Sequence, residues 1–280
     1  MKARVPASSA NLGPGFDGLA VALGLYLEVE VTESETLTLT TSGYGSEFTD
    51  PDQHLAVSIV RGVMGHDRFA LRVHSEIPLA RGLGSSAALA VAAAAAAGGD
   101  ALQAGFVVDG HVENAAASLF GGLVAGSEVA GSLAVTELAL DERARFVVAI
   151  PDEPLTTAAA RSVLPATVSL HDAAVSIGLA THLVAGLANL DQLHPEFFDD
   201  VLHQPYRGTL LPWSSSLLAV MREAGALGSC WSGAGSTMLA VVTEDTADAV
   251  RAASEAALAR AGVAGQVVVL NADHHGLQLS

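Results

Sequence analysis

Lysine and cysteine are almost absent from this chain of 280 residues, which has one of each, Lys2 and Cys230. A single cysteine excludes an intramolecular disulfide framework and a zinc site built from cysteines. Basic side chains are also scarce, with 13 against 30 acidic ones and a formal net charge of −17. A nucleic-acid binder needs a basic face. We therefore expect no nucleic-acid partner.

Long apolar runs are missing as well. The longest, from Ala87 to Ala97, has 11 residues, whereas a membrane span needs about 20. The N-terminal segment lacks the apolar core of a secretory signal. We expect no membrane association and a cytoplasmic location. The hydrophobic content of 50% is enough for a sizeable core in one large domain or two smaller ones.

Hydrophobic periodicity and turn residues predict a mixture of strands and helices. Apolar and polar residues alternate over 19–41, which predicts a hairpin or meander of strands. A run of alanines predicts a helix over 85–97 that ends at Gly98 and Gly99. The mixture has no regular βαβ period, so it predicts an α+β fold in two lobes, with domains 1–150 and 151–280. Further strands are predicted at 69–80, 146–154 and 266–273, and two more, separated by a glycine turn, within 228–245. Further helices are predicted at 168–190, 214–225 and 246–262.

A glycine loop, Gly82-Leu83-Gly84-Ser85-Ser86, leads directly into the alanine-rich helix. Backbone N–H groups at a helix N-terminus bind phosphate without any lysine, and serine hydroxyls cap helices or ligate Mg²⁺. The spacing alone is equally compatible with an ordinary capped helix after a glycine turn. The lysine-bearing P-loop motif is absent.

Six segments in collinear order resemble motifs of one family. PLARGLGSSAA (78–88) and SGAGSTMLAV (232–241) resemble motifs of the GHMP kinases, and VPASSANLGPGFDGLAVAL (5–23) resembles the N-terminal motif of their homoserine kinase branch in particular. The other three, DGHVENAAASLFGGL (109–123), PDEPLTTAAARSVLP (151–165) and LHQPYRGTLLP (202–212), resemble segments of the homoserine kinase branch in particular. Mevalonate kinases carry a lysine in their opening segment, and this chain has none after Lys2.

The resemblance implies a two-lobed GHMP kinase fold with a left-handed βαβ unit around the phosphate-binding helix, an exception to the right-handed rule. It implies ATP-dependent phosphorylation of the L-homoserine hydroxyl, with Mg²⁺, in a homodimer. Two alternatives stay open. One is another GHMP kinase that acts on a different hydroxyl substrate, and the other is a non-catalytic binding protein of the same fold.

The resemblance also implies which residues bind ATP. His54 would lie near the adenine, and Gly233 and Gly235 would form the turn that closes against the phosphate loop. The remaining predicted ATP-binding residues all belong to the phosphate-loop motif: Pro78, Arg81, Gly82, Leu83, Gly84, Ser85, Ser86 and Ala87. Without the resemblance, Gly233 and Gly235 predict an ordinary hairpin turn.

The implied substrate site brings together six residues: Asn11, Asp17, His111, Asn114, Arg161 and Arg207. Arginine binds a carboxylate through a planar two-donor fork, and a carboxylate holds an ammonium group or a hydroxyl. Without the resemblance, Asn11 and Asp17 are ordinary turn formers, and the two arginines are ordinary surface residues. His111 and Asn114, three apart, would share one face of a helix.

The implied catalytic residues are Asn114, Thr157 and Arg161, and the implied Mg²⁺ ligands are Ser86 and Asp109. Asp109 stands where the family has glutamate, so it would reach the metal directly or through a water. No lysine is available beside an acidic residue to form a base. We therefore predict that the hydroxyl proton passes directly to a γ-phosphate oxygen, with His111 as the alternative base.

Overall fold

Eleven strands and nine α-helices alternate irregularly along the chain in the computed structural model, which describes residues 1–280. The predicted α+β composition is therefore confirmed. The strands are β1 Lys2–Ala10, β2 Leu19–Glu33, β3 Thr38–Gly43, β4 Phe69–Ser75, β5 Leu123–Val129, β6 Ser132–Leu138, β7 Arg145–Pro151, β8 Gly228–Trp231, β9 Met238–Val242, β10 Gly265–Asn271 and β11 Gln278–Leu279. The helices are α1 Leu55–Met64, α2 Ser85–Ala96, α3 Ala101–Asp109, α4 Glu113–Phe120, α5 Thr157–Ser162, α6 Leu170–Ala188, α7 Gln204–Arg207, α8 Ser214–Glu223 and α9 Glu244–Ala261.

The first sheet has seven strands in the order β11-β1-β2-β4-β3, and β5 and β6 extend it from β2. β3 and β4 pair in parallel, with α1 as their connection, and β4 leads into the glycine loop before α2. The hairpin or meander predicted over 19–41 is therefore wrong, because β3 lies beside β4 and not beside β2. The left-handed sense of the βαβ unit stays a prediction.

The second sheet has four antiparallel strands in the order β10-β7-β9-β8. β7, which begins at Arg145, already belongs to it, so the sheets divide between β6 and β7. β11 then returns the chain to the first sheet by pairing with β1. The two-domain division at residue 150 stays a prediction.

Alanines allow α2 to pack at the centre of the larger core. All residues from Ala90 to Ala96 are buried, and the helix touches β1, β2, α1, α3 and α4. Because α2 is covered all round, it has no polar face, which is typical of a helix inside a protein. The glycine loop is thus anchored by a helix with little room to shift.

β1 connects the surface to the site. At its start, Lys2 Nζ lies 2.9 Å from Glu28 Oε2 and is about half exposed. At its end, the strand runs into Asn11, and Ser8 N donates to Leu83 O in the glycine loop. The strand that begins at the only lysine therefore ends beside the glycine loop.

α6 is the one helix that meets the length and composition criteria of a membrane span. Its most apolar window has a mean hydropathy of 1.3, and 22% of that window is buried. Leu183 and Leu187 of its C-terminal half pack into the larger core, whereas Leu170 and Ile177 are exposed. A single such helix is weak grounds for a membrane contact, and the predicted absence of one stays a prediction.

Candidate active site

The glycine loop requires glycine at two positions. Gly82 and Gly84 have φ of 74° and 66°, in the left-handed region that glycine occupies without strain. A Cβ on Gly82 would clash with the carbonyl oxygen of Ser232, and one on Gly84 would clash with Ser8 Oγ. Gly84 is the N-cap of α2, and no side chain caps the helix. The N–H groups of its first turn are therefore available to an anion.

A cavity of about 600 Å³ lies in front of this helix N-terminus. Most of the predicted site residues line it, from both parts of the chain: Asn11, Pro78, Arg81, Gly82, Leu83, Gly84, Ser85, Ser86, Asp109, His111, Asn114, Thr157, Arg161, Arg207 and Gly233. Segments that are far apart in sequence therefore converge on one concave surface.

Four predicted residues lie outside the wall of this cavity. Asp17 stands behind Arg161, to which it is paired. Ala87 is fully buried in the core on the first turn of α2. Gly235 lies two residues after the lining residue Gly233, and a Cβ on Gly235 would clash with the Trp231 ring. His54 lines a neighbouring cavity.

The loop that carries Asn11 and Asp17 is held in an uncommon backbone conformation. Both residues have positive φ, 57° and 50°, which Asn and Asp tolerate better than other non-glycine residues. Asn11 Oδ1 accepts a hydrogen bond of 2.8 Å from Asp17 N, and Asp17 Oδ1 lies 2.6 Å from Arg161 Nη2. The turn therefore aims the Asp17 carboxylate at the guanidinium of α5.

Arg207 is a buried cation without an anionic partner. It is 1% exposed, its Nη1 donates to Gly233 O at 2.9 Å, and its Nε has no hydrogen-bond partner. No carboxylate pairs with it, and burial together with the nearby Arg161 lowers its pKa to about 10. An unpaired buried charge is costly, so this position favours the binding of an anion.

The half-buried Asp109 and His111 line the cavity, and the fully buried Glu113 lies beside His111. Burial raises the pKa of Asp109, at the end of α3, to about 6, and that of Glu113, at the start of α4, to about 7. His111 Nδ1 lies 3.4 Å from Glu113 Oε1, and burial lowers the pKa of His111. Because His111 precedes α4, the predicted helix face shared with Asn114 is wrong, although both residues reach the cavity.

Asn114 has one end of its amide fixed. Its Oδ1 accepts a hydrogen bond of 2.8 Å from Ser8 Oγ. The Nδ2 group, which only donates, is left for another partner. Asn114 is therefore suited to hold an oxygen atom of a ligand in the cavity.

The guanidinium of Arg81 is committed to the protein backbone. Nε donates to Pro151 O at 2.8 Å, Nη1 donates to Leu79 O at 2.7 Å, and Nη2 donates to Asp152 O. Arg81 thus ties the glycine loop to the end of β7. Its predicted contact with ATP stays a prediction.

The second cavity, of about 730 Å³, meets the first at Ser85 and Ser86. Its wall is largely apolar or aromatic and includes Leu27, Tyr44, Phe48, Leu55, Leu79 and Leu89. His54 also lines it and caps α1, since its Nδ1 accepts a hydrogen bond from Ala56 N at 3.2 Å. An apolar slot of this kind fits a flat ring.

Three residues of the site escaped the sequence analysis. Ser8 orients Asn114, Glu113 faces His111, and His203 contacts Arg207 at 3.1 Å. Glu113 stands inside the DGHVEN motif, and His203 stands four residues before Arg207. Ser8 stands inside the 5–23 motif, but a serine in a strand does not predict which residue it bonds to.

Two family profiles match the chain. The GHMP kinases N terminal domain matches residues 54–122, and the GHMP kinases C terminal matches residues 182–259. Among curated proteins, the homoserine kinase of Moorella thermoacetica is 39% identical over 98% of this chain and 97% of its own length. The homoserine kinase of Streptomyces coelicolor is 37% identical, over 90% of this chain and 87% of its own length.

Solved structures with the same fold include a homoserine kinase from Cytophaga hutchinsonii, with a TM-score of 0.86 and 24% identity. That match covers 99% of this chain and 96% of the other. The L. major mevalonate kinase, solved with R-mevalonate, gives a TM-score of 0.70 at 16% identity over 96% of this chain and 95% of the other. The predicted GHMP kinase fold is confirmed.

Proposed function

The chain belongs to the homoserine kinases of the GHMP kinase superfamily, and from this membership we propose which reaction it catalyses and which residues carry it. The γ-phosphoryl group of ATP passes to the hydroxyl of L-homoserine and gives ADP and O-phospho-L-homoserine, on the route to threonine. The observation that carries the proposal is Arg207, a buried guanidinium without an anion, in the same cavity as the open N-terminus of α2.

ATP takes both cavities. The phosphates lie against the glycine loop and the first turn of α2, where backbone N–H groups and the helix dipole stabilise negative charge. The adenine lies in the apolar slot between Tyr44, Phe48 and Leu89, with His54 at its side. The two cavities meet at Ser85 and Ser86, and this continuity supports a single ligand that spans them.

Ser86 and Asp109 are the residues that would hold Mg²⁺. Both residues line the phosphate cavity, and a nearby cation would stabilise the ionised form of Asp109, whose pKa is raised by desolvation. Mg²⁺ is usually held by one or two carboxylates together with substrate phosphates, which agrees with a site that has few acidic ligands. When bound, the ion neutralises charge on the phosphates.

The amino acid takes the end of the cavity that holds the arginines. Arg207 and Arg161 bind its carboxylate, and Asp17, which is already 2.6 Å from Arg161, accepts from its ammonium group. Asn114 and Thr157 hold the hydroxyl and the transferred phosphoryl group, with His111 beside them. The paired arginines favour a carboxylated substrate over the alcohols that other GHMP kinases use.

Transfer depends mainly on position and charge. Phosphoryl transfer passes through a loose transition state that needs little push from the nucleophile, so holding the hydroxyl in line with the phosphate supplies most of the rate. The proton passes directly to a γ-phosphate oxygen. Asp17 and Asp109 have other roles, and burial keeps His111 neutral, so His111 is the one competing base.

The test is a panel of hydroxy amino acids and simple alcohols with ATP, followed by ADP release. We expect the highest kcat/KM for L-homoserine and a large loss for homoserinol, which lacks the carboxylate. Equal turnover of homoserinol would favour another GHMP kinase activity. ATP binding without ADP release for any acceptor would favour a non-catalytic binding protein.

The resemblance also supports a homodimer in the cytoplasm, without nucleic-acid or membrane partners. Sedimentation velocity on the purified protein tests whether it is a homodimer. A monomer at micromolar concentration would remove the homodimer from the proposal.

A further inference from the structure

His203 is a fully buried histidine that the reaction described above does not use. It lies just before α7 and is 0% exposed. Its Nε2 is 2.8 Å from Gly13 O, and its Nδ1 is 3.1 Å from Arg207 Nη1. One ring therefore touches both the N-terminal loop, which carries Asn11 and Asp17, and the buried guanidinium.

The two partners fix the tautomer of the ring. A backbone carbonyl only accepts hydrogen bonds and a guanidinium only donates them. Both contacts are satisfied together only when Nε2 carries the proton and Nδ1 presents its lone pair. The carboxylate of Asp200 agrees with this, because its Oδ2 lies 3.5 Å from Nε2 and favours a proton there.

Asp200 is itself held in place and does not compete for Arg207. Its oxygens accept from the backbone N–H groups of Leu202, His203 and Gln204, at 2.8, 2.8 and 2.6 Å. Burial lowers the pKa of His203 to about 4, with the nearby Arg207 acting in the same direction. The ring is therefore neutral at the pH of the cell.

Phe16 completes the connection. Its ring stacks on His203 with centroids 5.2 Å apart, and the guanidinium carbons of Arg161 and Arg207 lie 5.5 and 5.4 Å from its centroid. The N-terminal loop and both arginines thus share one aromatic contact surface. A substitution at His203 would therefore alter the position of the N-terminal loop and of Arg207 together.

We propose that His203, as the neutral Nε2–H tautomer, is the positioning residue of the anion site: it orients Arg207 through Nδ1 and fixes the N-terminal loop through Gly13. That the anion is the carboxylate of L-homoserine rests on the proposed function. His203 does not contact the substrate and acts through Arg207.

Two substitutions separate the two contacts. His203→Asn places an amide oxygen near the Nδ1 position and keeps an acceptor for Arg207. His203→Gln reaches Gly13 with its amide N–H but lacks that acceptor. We expect His203→Gln to raise KM for L-homoserine by about 10-fold, the scale of one hydrogen bond to a charged group, with KM for ATP unchanged. His203→Asn should recover most of the loss, and His171→Asn, at an exposed histidine of α6, should have no effect.

A double-mutant cycle with Arg207→Lys tests the route of the effect. If His203 acts through Arg207, His203→Gln should add little to the loss that Arg207→Lys causes alone. Multiplicative losses, or an equal rise in KM for L-homoserine and ATP, would overturn the proposal.

A measurement on the wild-type protein without substrates is independent of folding in the variants and of the reaction. Long-range ¹H–¹⁵N spectra of the imidazole rings at pH 7.5 distinguish protonated from unprotonated ring nitrogens, and the His203 signals are assigned by through-bond correlation from the ring to the backbone of the same residue. We expect Nε2–H with a free Nδ1. An Nδ1–H tautomer or an imidazolium would overturn the proposal even if L-homoserine is the substrate. Absence of any L-homoserine turnover would overturn the proposed function and leave the tautomer to be decided by this spectrum.

Discussion

At the scale of single residues, the site depends on charges that are buried before any ligand arrives. Arg207 is a cation with no anionic partner, and Asp109 and Glu113 are carboxyl groups with raised pKa values. Such groups cost stability in the free protein. They also bind strongly to a ligand that supplies the missing charge, because the desolvation has already taken place.

Arg207→Lys should keep the charge and lose the planar fork. We expect KM for L-homoserine to rise by about 10- to 100-fold, which corresponds to about 1.5–3 kcal/mol for a hydrogen bond to a charged group, with KM for ATP nearly unchanged. Steady-state kinetics measure both constants. Arg251→Lys, on α9 and outside both cavities, serves as the control, and an equal rise in both KM values would move Arg207 out of the substrate site.

His111→Gln distinguishes direct proton transfer from base catalysis. Glutamine keeps a hydrogen bond but cannot take a proton at neutral pH. If the proton passes directly to phosphate, kcat should fall by less than about 10-fold, because a general base usually contributes about 10²–10⁴-fold. A loss in that larger range, with affinity for L-homoserine intact, would identify His111 as the base.

Glu113 makes the stability of the ligand-free protein depend on pH. Its pKa is about 7 in the folded protein, against an ordinary value of 4.5. The folded state therefore binds the proton more tightly than the unfolded state, and the free energy of unfolding falls as pH rises from about 4.5 to about 7.

Glu113→Gln should remove this contribution. We expect its free energy of unfolding in urea to be close to wild type at pH 4.5 and to exceed it by about 3 kcal/mol at pH 8, since one pKa unit is worth about 1.4 kcal/mol. Glu142→Gln, at an exposed glutamate, controls for the lost charge. Identical pH profiles for Glu113→Gln and wild type would mean that Glu113 is ionised in the folded protein at neutral pH.

Sequence motifs predicted the residues that face the cavity better than the residues behind them. Arg207 and Asn114 stand in recognisable segments, and both line the cavity. Ser8 and His203 act on those two side chains, and no local pattern predicts these pairings. Their partners are 106 residues away for Ser8 and, through Gly13, 190 residues away for His203, and such pairings exist only once the chain is folded.

At the scale of elements, α2 combines an alanine-rich interior with an uncapped start. Composition predicted its extent, because alanine favours helix and Gly98 ends it. The position of β3 could not be predicted in the same way. Its alternating pattern defines a strand, but its parallel partner β4 lies beyond α1, and pairing across a helix leaves no trace in a local pattern.

Ser86→Ala should affect turnover more than nucleotide binding. Ser86 stands in the first turn of α2 beside the phosphate cavity, and the positioning of Mg²⁺ matters most as charge develops during transfer. We expect kcat to fall by about 10- to 100-fold with a smaller change in the Kd of ATP, measured by calorimetry. Ser86→Thr, which keeps the hydroxyl, should retain most of the activity. Unaltered turnover of Ser86→Ala at limiting Mg²⁺ would contradict the metal role.

At the scale of the whole molecule, the cavity exists because the two sheets are held against each other. Ser232 Oγ lies 2.8 Å from Ser9 Oγ and donates to Gly82 O at 2.7 Å, and Arg81 binds carbonyls on both sides. These contacts join the glycine loop to the second sheet. The sequence indicated two lobes, but the contacts between them depend on the relative placement of the sheets.

Arg81→Gln should therefore lower the stability of the folded protein and leave ATP binding nearly unchanged. We expect a loss of about 1–2 kcal/mol from the broken hydrogen bonds, which corresponds to a Tm lower by about 2–6 °C for a chain of this size, and a KM for ATP within about twofold of wild type. Differential scanning calorimetry measures the Tm, and steady-state kinetics measure the KM for ATP. The exposed Arg68→Gln is the control, and a large rise in KM with an unchanged Tm would assign Arg81 to phosphate binding.

The single lysine has a practical consequence for anyone who wishes to attach this enzyme to a surface. Lys2 begins β1, and the strand rises about 3.3 Å per residue, so the Cα atoms of Lys2 and Ala10, at the two ends of the strand, are about 26 Å apart. No other side chain offers a primary amine. An amine-reactive resin at a pH that spares arginine would react with Lys2 or with the adjacent α-amine of Met1, and would therefore hold the molecules by the start of that strand, at the end away from the cavity.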